Sequence, residues 1–133
     1  MATDEAEVLA ANAAFYSAFR DRDVERMLEL WASDHAVVCI HPGWQILRGH
    51  AQVTASWRAI LGNPEAPAVQ QRNAQALVIG ETAIVTCTEE LPGVELSATN
   101  VFARESGVWK LVHHQAGPAR ARSEPDFDPE LLN

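Results

Sequence analysis

Apolar residues near the N-terminus follow a helical period. Val8, Phe15 and Phe19, with Leu9 and Tyr16 beside them, make one stripe. Asp4 followed by Glu7 has the form of a capping box, in which each side chain satisfies a backbone N–H at a helix start. The run Arg20-Asp21-Arg22-Asp23 interrupts the stripe, and Asp23 is placed to cap a second helix with Val24, Met27, Leu28 and Trp31 facing inward. The two helices are expected to pack as a hairpin. A β-type run over residues 36–41 follows, stopped by Pro42-Gly43, with residues 44–47 as a second short strand. Gly49 then leads into a third helix carrying Val53, Trp57, Ile60 and Leu61 on one face, and Gly62-Asn63-Pro64 ends it.

After Pro67 the period changes to two. Residues 69–79, 82–91, 94–104 and 108–115 read as strands, divided by the turn pairs Gly80-Glu81, Pro92-Gly93 and Ser106-Gly107. Links this short require antiparallel neighbours. Helices followed by a meander predict an α+β domain over residues 1–118. Residues 119–133, rich in Pro, Ser and Asp, read as a surface tail.

Strict alternation sorts the strands into faces. In the last strand Trp109, Leu111, His113 and Gln115 share one face, and Val108, Lys110, Val112 and His114 the other. Lys110 seeks water, so the Trp109 face is expected to lie under the helices. Ala98, Asn100 and Phe102 form one set in the strand before it, and Ala83, Val85, Cys87, Glu89 and Leu91 one set in the strand before that. Glu89, Asn100, His113 and Gln115 are therefore predicted on apolar inner faces. Left unpaired there, each costs about 1–3 kcal/mol, so they need partners, water or a ligand.

Composition narrows the function classes. A chain of 133 residues is long enough to bury one core without disulfides or a structural metal. A net charge of −8, with scattered basic residues, argues against a nucleic-acid surface. No stretch approaches the roughly 20 apolar residues of a membrane span. The opening Met-Ala-Thr-Asp-Glu lacks the basic and apolar regions of a secretory signal, so a cytoplasmic location is expected. Cys39 and Cys87 sit in apolar runs and read as buried hydrophobes. Neither a phosphate loop, a nucleophile elbow nor a compact metal-ligand spacing occurs, so no cofactor or metal is expected.

The segment Ser106-Gly107-Val108-Trp109-Lys110-Leu111-Val112-His113-His114-Gln115-Ala116-Gly117-Pro118 resembles the closing strand of SnoaL-like domains. It also resembles that of the association domain of calcium/calmodulin-dependent protein kinase II. Asn12-Ala13-Ala14-Phe15-Tyr16, Asp23, Cys39-Ile40-His41-Pro42-Gly43-Trp44, Arg48-Gly49 and Ser56-Trp57 resemble a bacterial SnoaL-like subgroup. The resemblance spans residues 8–118. It implies the cone-shaped nuclear transport factor 2-like fold, with N-terminal helices on a strongly curved antiparallel or mixed sheet that encloses a pocket. It further implies a homodimer joined through the sheet. Enzymes of the superfamily include isomerases, dehydratases, hydrolases and cyclases, but none of their catalytic sets has a residue-by-residue counterpart here. Asn100 stands where the kinase association domain carries an Arg.

The candidate chemistry centres on Glu89 and His113. A carboxylate in an apolar cavity gains proton affinity and becomes a general base, and an imidazole exchanges protons near neutrality. Each has a plainer reading as a paired core residue. Tyr16, Trp31, Trp57 and Phe102 are candidate pocket walls, His41 and Trp44 a candidate rim, and Asn100 and Gln115 candidate polar contacts. Two functions follow. One is a homodimer that binds a small apolar molecule bearing a carbonyl or hydroxyl and performs proton transfer on it. The other is a non-catalytic association or ligand-sensing module. A closed hydrogen-bond network without a cavity favours the second, and a roomy cavity with an unpaired carboxylate favours the first.

Overall fold

The computed structural model describes residues 2–120. Among them, in chain order, are α1 (Asp4–Asp21), α2 (Val24–Leu30), β1 (Val38–Ile40), β2 (Leu47–Arg48), α3 (His50–Gly62), β3 (Gln70–Ile79), β4 (Thr82–Leu91), β5 (Val94–Glu105) and β6 (Val108–Pro118). Most of the expected tail lies outside the described residues.

Helix α1 starts one residue earlier than the capping box implied. The Thr3 hydroxyl accepts from the Ala6 N–H at 3.1 Å, and Asp4 falls into the first turn, where with Glu5 and Glu7 it complements the positive end of the helix. Arg22, at φ 54°, closes the helix in the left-handed conformation. Asp23 caps α2 as expected, accepting from the Arg26 N–H at 3.2 Å. The second short strand is reduced to Leu47 and Arg48.

One six-stranded sheet runs in the order β2-β1-β6-β5-β4-β3. Strands β3 to β6 form the predicted antiparallel meander, with β1 added parallel to β6. The hairpins close at Ile79–Thr82, Leu91–Val94 and Glu105–Val108, as the turn pairs required. Ser106 and Gly107 both take positive φ, the geometry that matches a two-residue turn to strand twist. The helices cover one face, where Val8, Phe15, Met27, Val53, Trp57, Phe102 and Leu111 are fully buried.

A bulge in β6 overturns part of the face assignment. Phe102 pairs with Leu111 but Val101 pairs with His113, so Val112 is an extra residue. An inserted residue bends the strand and reverses the alternation beyond it. Leu111 and His114 therefore share the covered face, whereas His113 sits half-buried on the opposite face and Gln115 is exposed beside Thr99. The expectation that His113 and Gln115 face inward is corrected accordingly. A second bulge, between Arg72 and Gln75 with Asn73 at φ 58°, adds to the curvature at β3.

Two polar clips hold loops against this frame. The Arg22 guanidinium donates to the carbonyls of Asn63, Pro64 and Ala66 and fixes the segment after α3. At the end of β5, Glu105 accepts from the backbone N–H groups of Ser33, Asp34 and His35 and from the His35 ring.

Candidate functional site

Helix α1 and strands β4, β5 and β6 deliver a buried polar cluster. Tyr16 lies on the inner stripe of α1, four residues after Asn12, so both side chains point to the sheet. Glu89 on β4 and Asn100 on β5 follow the regular alternation, and the β6 bulge adds His114. Glu89 is 2% exposed, and Asn12, Asn100 and His114 are 1% or less.

The proton assignments follow from one anchor. Tyr16 donates its hydroxyl proton to Glu89 Oε2 at 2.6 Å. Its oxygen must then accept, and Asn100 Nδ2 supplies a donor at 3.1 Å while also donating to Asn12 Oδ1 at 2.8 Å. That turns Asn100 Oδ1 toward His114, whose Nδ1 donates to it at 2.6 Å. His114 is then the Nδ1–H tautomer. Its bare Nε2 stands 3.8 Å from Glu89 Oε2. Asn12 Nδ2 extends the chain to Gln71 Oε1 at 2.6 Å, and the Cys87 thiol donates to Tyr16 Oη at 3.3 Å.

A pocket of about 210 Å³ opens beside this cluster. Phe19, Ile60, Leu91 and Leu96 give it apolar walls, and Ala66 and Pro67 of the Arg22-clamped segment form part of the mouth. Its polar side chains are Glu89, His114 and His41. Trp44 stands at the rim, 46% exposed, edge-to-face with His41 at 4.8 Å between ring centres. His41 Nε2 lies 2.9 Å from Ser56 Oγ, whose own proton goes to the Val53 carbonyl at 2.7 Å. Nε2 of His41 is therefore the donor.

Burial controls the charge states. Desolvation pushes the Glu89 carboxyl up, and the Tyr16 hydrogen bond only partly opposes it. Desolvation, followed by the neighbouring Glu89 charge, also raises the Tyr16 phenol. Desolvation lowers His41 to about 4 and, with the fields of His41 and His113 added, lowers His114 to about 3. Both imidazoles are neutral at neutral pH. Burial likewise raises Cys87, and carries Cys39 to about 12. Both cysteines are thus expected to resist iodoacetamide in the native state and react once unfolded. Rapid native alkylation, read by intact mass, would contradict their burial.

Of the candidates named from sequence, Glu89, His41 and Trp44 line this pocket. Tyr16 and Asn100 stand in the hydrogen-bonded layer behind Glu89. Trp57 is fully buried between Phe15, Phe19 and His41, and outside the lining. Trp31, bridged to Leu111, and Phe102 are core residues away from it. His113 and Gln115 lie on the other face. Sequence reasoning passed over Asn12, although a polar residue within an apolar stripe is a readable signal. His114 carried no such signal, because strict alternation sent it outward. Among the described residues no three His, Cys, Asp or Glu side chains converge to hold a metal.

A family model of the SnoaL-like domain matches residues 8–120. A candidate dehydratase of the NTF2-like family from Streptomyces avermitilis is 36% identical, with a TM-score of 0.82 over 89% of this chain and 97% of its own. A candidate calcium/calmodulin-dependent protein kinase type II association domain from Thiobacillus denitrificans is 34% identical, with a TM-score of 0.75 over 84% and 94%. The F-box protein SKIP8 of Arabidopsis thaliana is 28% identical over 111 residues, which are 82% of this chain and 48% of that protein, so the chain spans about half of that relative's length. With the mixed sheet, the covering helices and a match over nearly the whole described chain, this protein belongs to the SnoaL-like family of the nuclear transport factor 2-like superfamily.

Proposed function

We propose that this chain binds a small apolar molecule bearing a carbonyl or hydroxyl group and performs cofactor-independent proton transfer on it. Glu89 carries the reading. Its carboxyl is held up in pKa by burial, lines an apolar pocket, and has one oxygen bound by Tyr16 while Oε1 has no protein partner among the described residues. That is the condition of a general base awaiting a proton. His114 takes the place expected for His113. Its neutral Nε2, 3.8 Å from the carboxylate, is a second hydrogen-bond acceptor that can orient the bound molecule beside Glu89.

The volume narrows the ligand. At about 210 Å³ the pocket is below the roughly 300–1,000 Å³ of sites for drug-sized ligands, which fits a single ring better than a fused polycycle. The dehydratase named among the relatives is consistent with elimination as one such chemistry. β-Hydroxycyclohexanone is a direct test. Glu89 removes the proton next to the carbonyl, the C–O bond breaks, and the leaving hydroxide takes that proton back from the Glu89 carboxyl, giving water and cyclohexenone and restoring the carboxylate. Enone absorbance follows the reaction. Wild-type protein is expected to accelerate it, with Glu89→Gln slower by about 10²–10⁴-fold. Equal rates in the two proteins would remove Glu89 as the base.

The alternative is a non-catalytic association or sensing module. It draws on the near-closure of the Gln71–Asn12–Asn100–Tyr16–Glu89 chain, in which most polar groups already satisfy one another. Either reading uses a cytoplasmic homodimer joined through the sheet, whose outer face leaves Leu77 and Ile79 more than half exposed. No helix among the described residues is long and apolar enough to cross a membrane. Native mass spectrometry reports subunit count and any retained molecule together. A purely monomeric spectrum would contradict the dimer.

A further inference from the structure

We propose that the ligand of this pocket presents a hydrogen-bond donor to it, a hydroxyl or a protonated amino group on an apolar ring, rather than a carbonyl oxygen alone. The inference rests on the small-molecule reading above and narrows it. The side-chain donors of the Tyr16, Asn100, His114 and His41 cluster at the buried end of the pocket are spent inside the protein, and the unpartnered Trp57 Nε1–H lies outside the lining. The Tyr16 hydroxyl proton goes to Glu89, and both Asn100 amide protons go to Asn12 and Tyr16. His114 Nδ1–H goes to Asn100, and His41 Nε2–H goes to Ser56. What remains for a ligand at that end is acceptors, Glu89 Oε1, His114 Nε2 and the bare Nδ1 of His41, while the Trp44 indole N–H stands out at the rim. No Lys or Arg lines the pocket.

A carbonyl oxygen placed against this end would meet lone pairs and lose the hydrogen bonds it had in water. A hydroxyl gives its proton to Glu89 or His114. A protonated amine does the same, supplies the cation that the buried carboxylate lacks, and has the Phe19 and Trp44 rings in the pocket wall. The neutral state of His114, lowered to about 3 by burial, keeps its Nε2 an acceptor across the physiological range.

Cyclohexanol, cyclohexylamine and cyclohexanone share one ring skeleton and differ only in this group. Calorimetric titration of the full chain with each, at mildly alkaline pH that favours the carboxylate, is the test. The alcohol, the amine or both are expected to bind about tenfold tighter than the ketone, the worth of one net hydrogen bond. A preference for amine over alcohol identifies the charged donor, and the reverse order the neutral one. Ketone binding equal to or tighter than both would overturn the donor inference while leaving the pocket reading in place. Absence of binding by all three would overturn both. Glu89→Gln turns an amide N–H₂ toward the pocket while its oxygen keeps the Tyr16 bond, so it is expected to shift the preference toward the ketone. An unchanged ratio in a folded variant would show that Glu89 is not the acceptor.

Discussion

Replacing Asn100 by Leu is expected to destabilise the fold by roughly 2–6 kcal/mol, since at least two fully buried groups lose their partners at about 1–3 kcal/mol each. The side chain is 0% exposed and is the node of the cluster. Its amide donates to Asn12 and Tyr16, and its oxygen accepts from His114. Leu has the same number of side-chain heavy atoms and leaves no cavity, so the loss reports the removed polarity together with crowding by its bulkier methyl groups. The orphans are the Asn12 oxygen and the His114 Nδ1–H. Against a typical total of about 5–15 kcal/mol, this is enough to unfold a marginal domain. Urea denaturation measures it, and Asn12→Leu/Asn100→Leu should lose less than the sum of its two single changes, because the pair shares a hydrogen bond. A loss under about 1 kcal/mol for Asn100→Leu would mean that water replaces its contacts and that the cluster is looser than described.

The second large effect is expected at Glu105, far from the pocket. Burial alone would raise this carboxyl, but the His35 ring and the backbone N–H groups of Ser33, Asp34 and His35 all donate to it and bring it down to about 2 from 4.5. A carboxylate whose pKa is depressed by folding contributes stability that is fully present above its unfolded value. Here the contribution is complete above 4.5 and is lost as pH falls from 4.5 toward 2. His35 is 48% exposed, so water screens this edge position and reduces the benefit to roughly 1–3 kcal/mol. Glu105→Gln keeps an acceptor oxygen but removes the charge. It is expected to lower the melting temperature at neutral pH and to flatten the acid limb of the stability curve between about 4.5 and 2. Parallel acid limbs in wild type and variant would show that Glu105 titrates normally. The consequence is structural: Glu105 ties the segment between α2 and β1 to the sheet, and β1 leads directly to His41.

Much of this molecule was legible in its linear pattern. The apolar stripes of α1, α2 and α3, the change to a period of two after Pro67, and the turn pairs at residues 80–81, 92–93 and 106–107 determine the elements, because amphipathic spacing and positive-φ residues act locally. Glu89 and Asn100 were placed on the inner face for the same reason, since β4 and β5 alternate without interruption there. His114 was not legible. Its inward position depends on Val112 standing unpaired in β6, and a bulge is decided by how two strands fit when paired, not by either strand's own sequence. The network around Tyr16 was equally out of reach, as it joins residues 71 to 88 positions apart in the chain. Local pattern therefore determined which residues form helices and strands and which strand faces are apolar. Only the tertiary packing of α1 against the bulged sheet decided which histidine meets Glu89, because that contact depends on strand register and helix placement together.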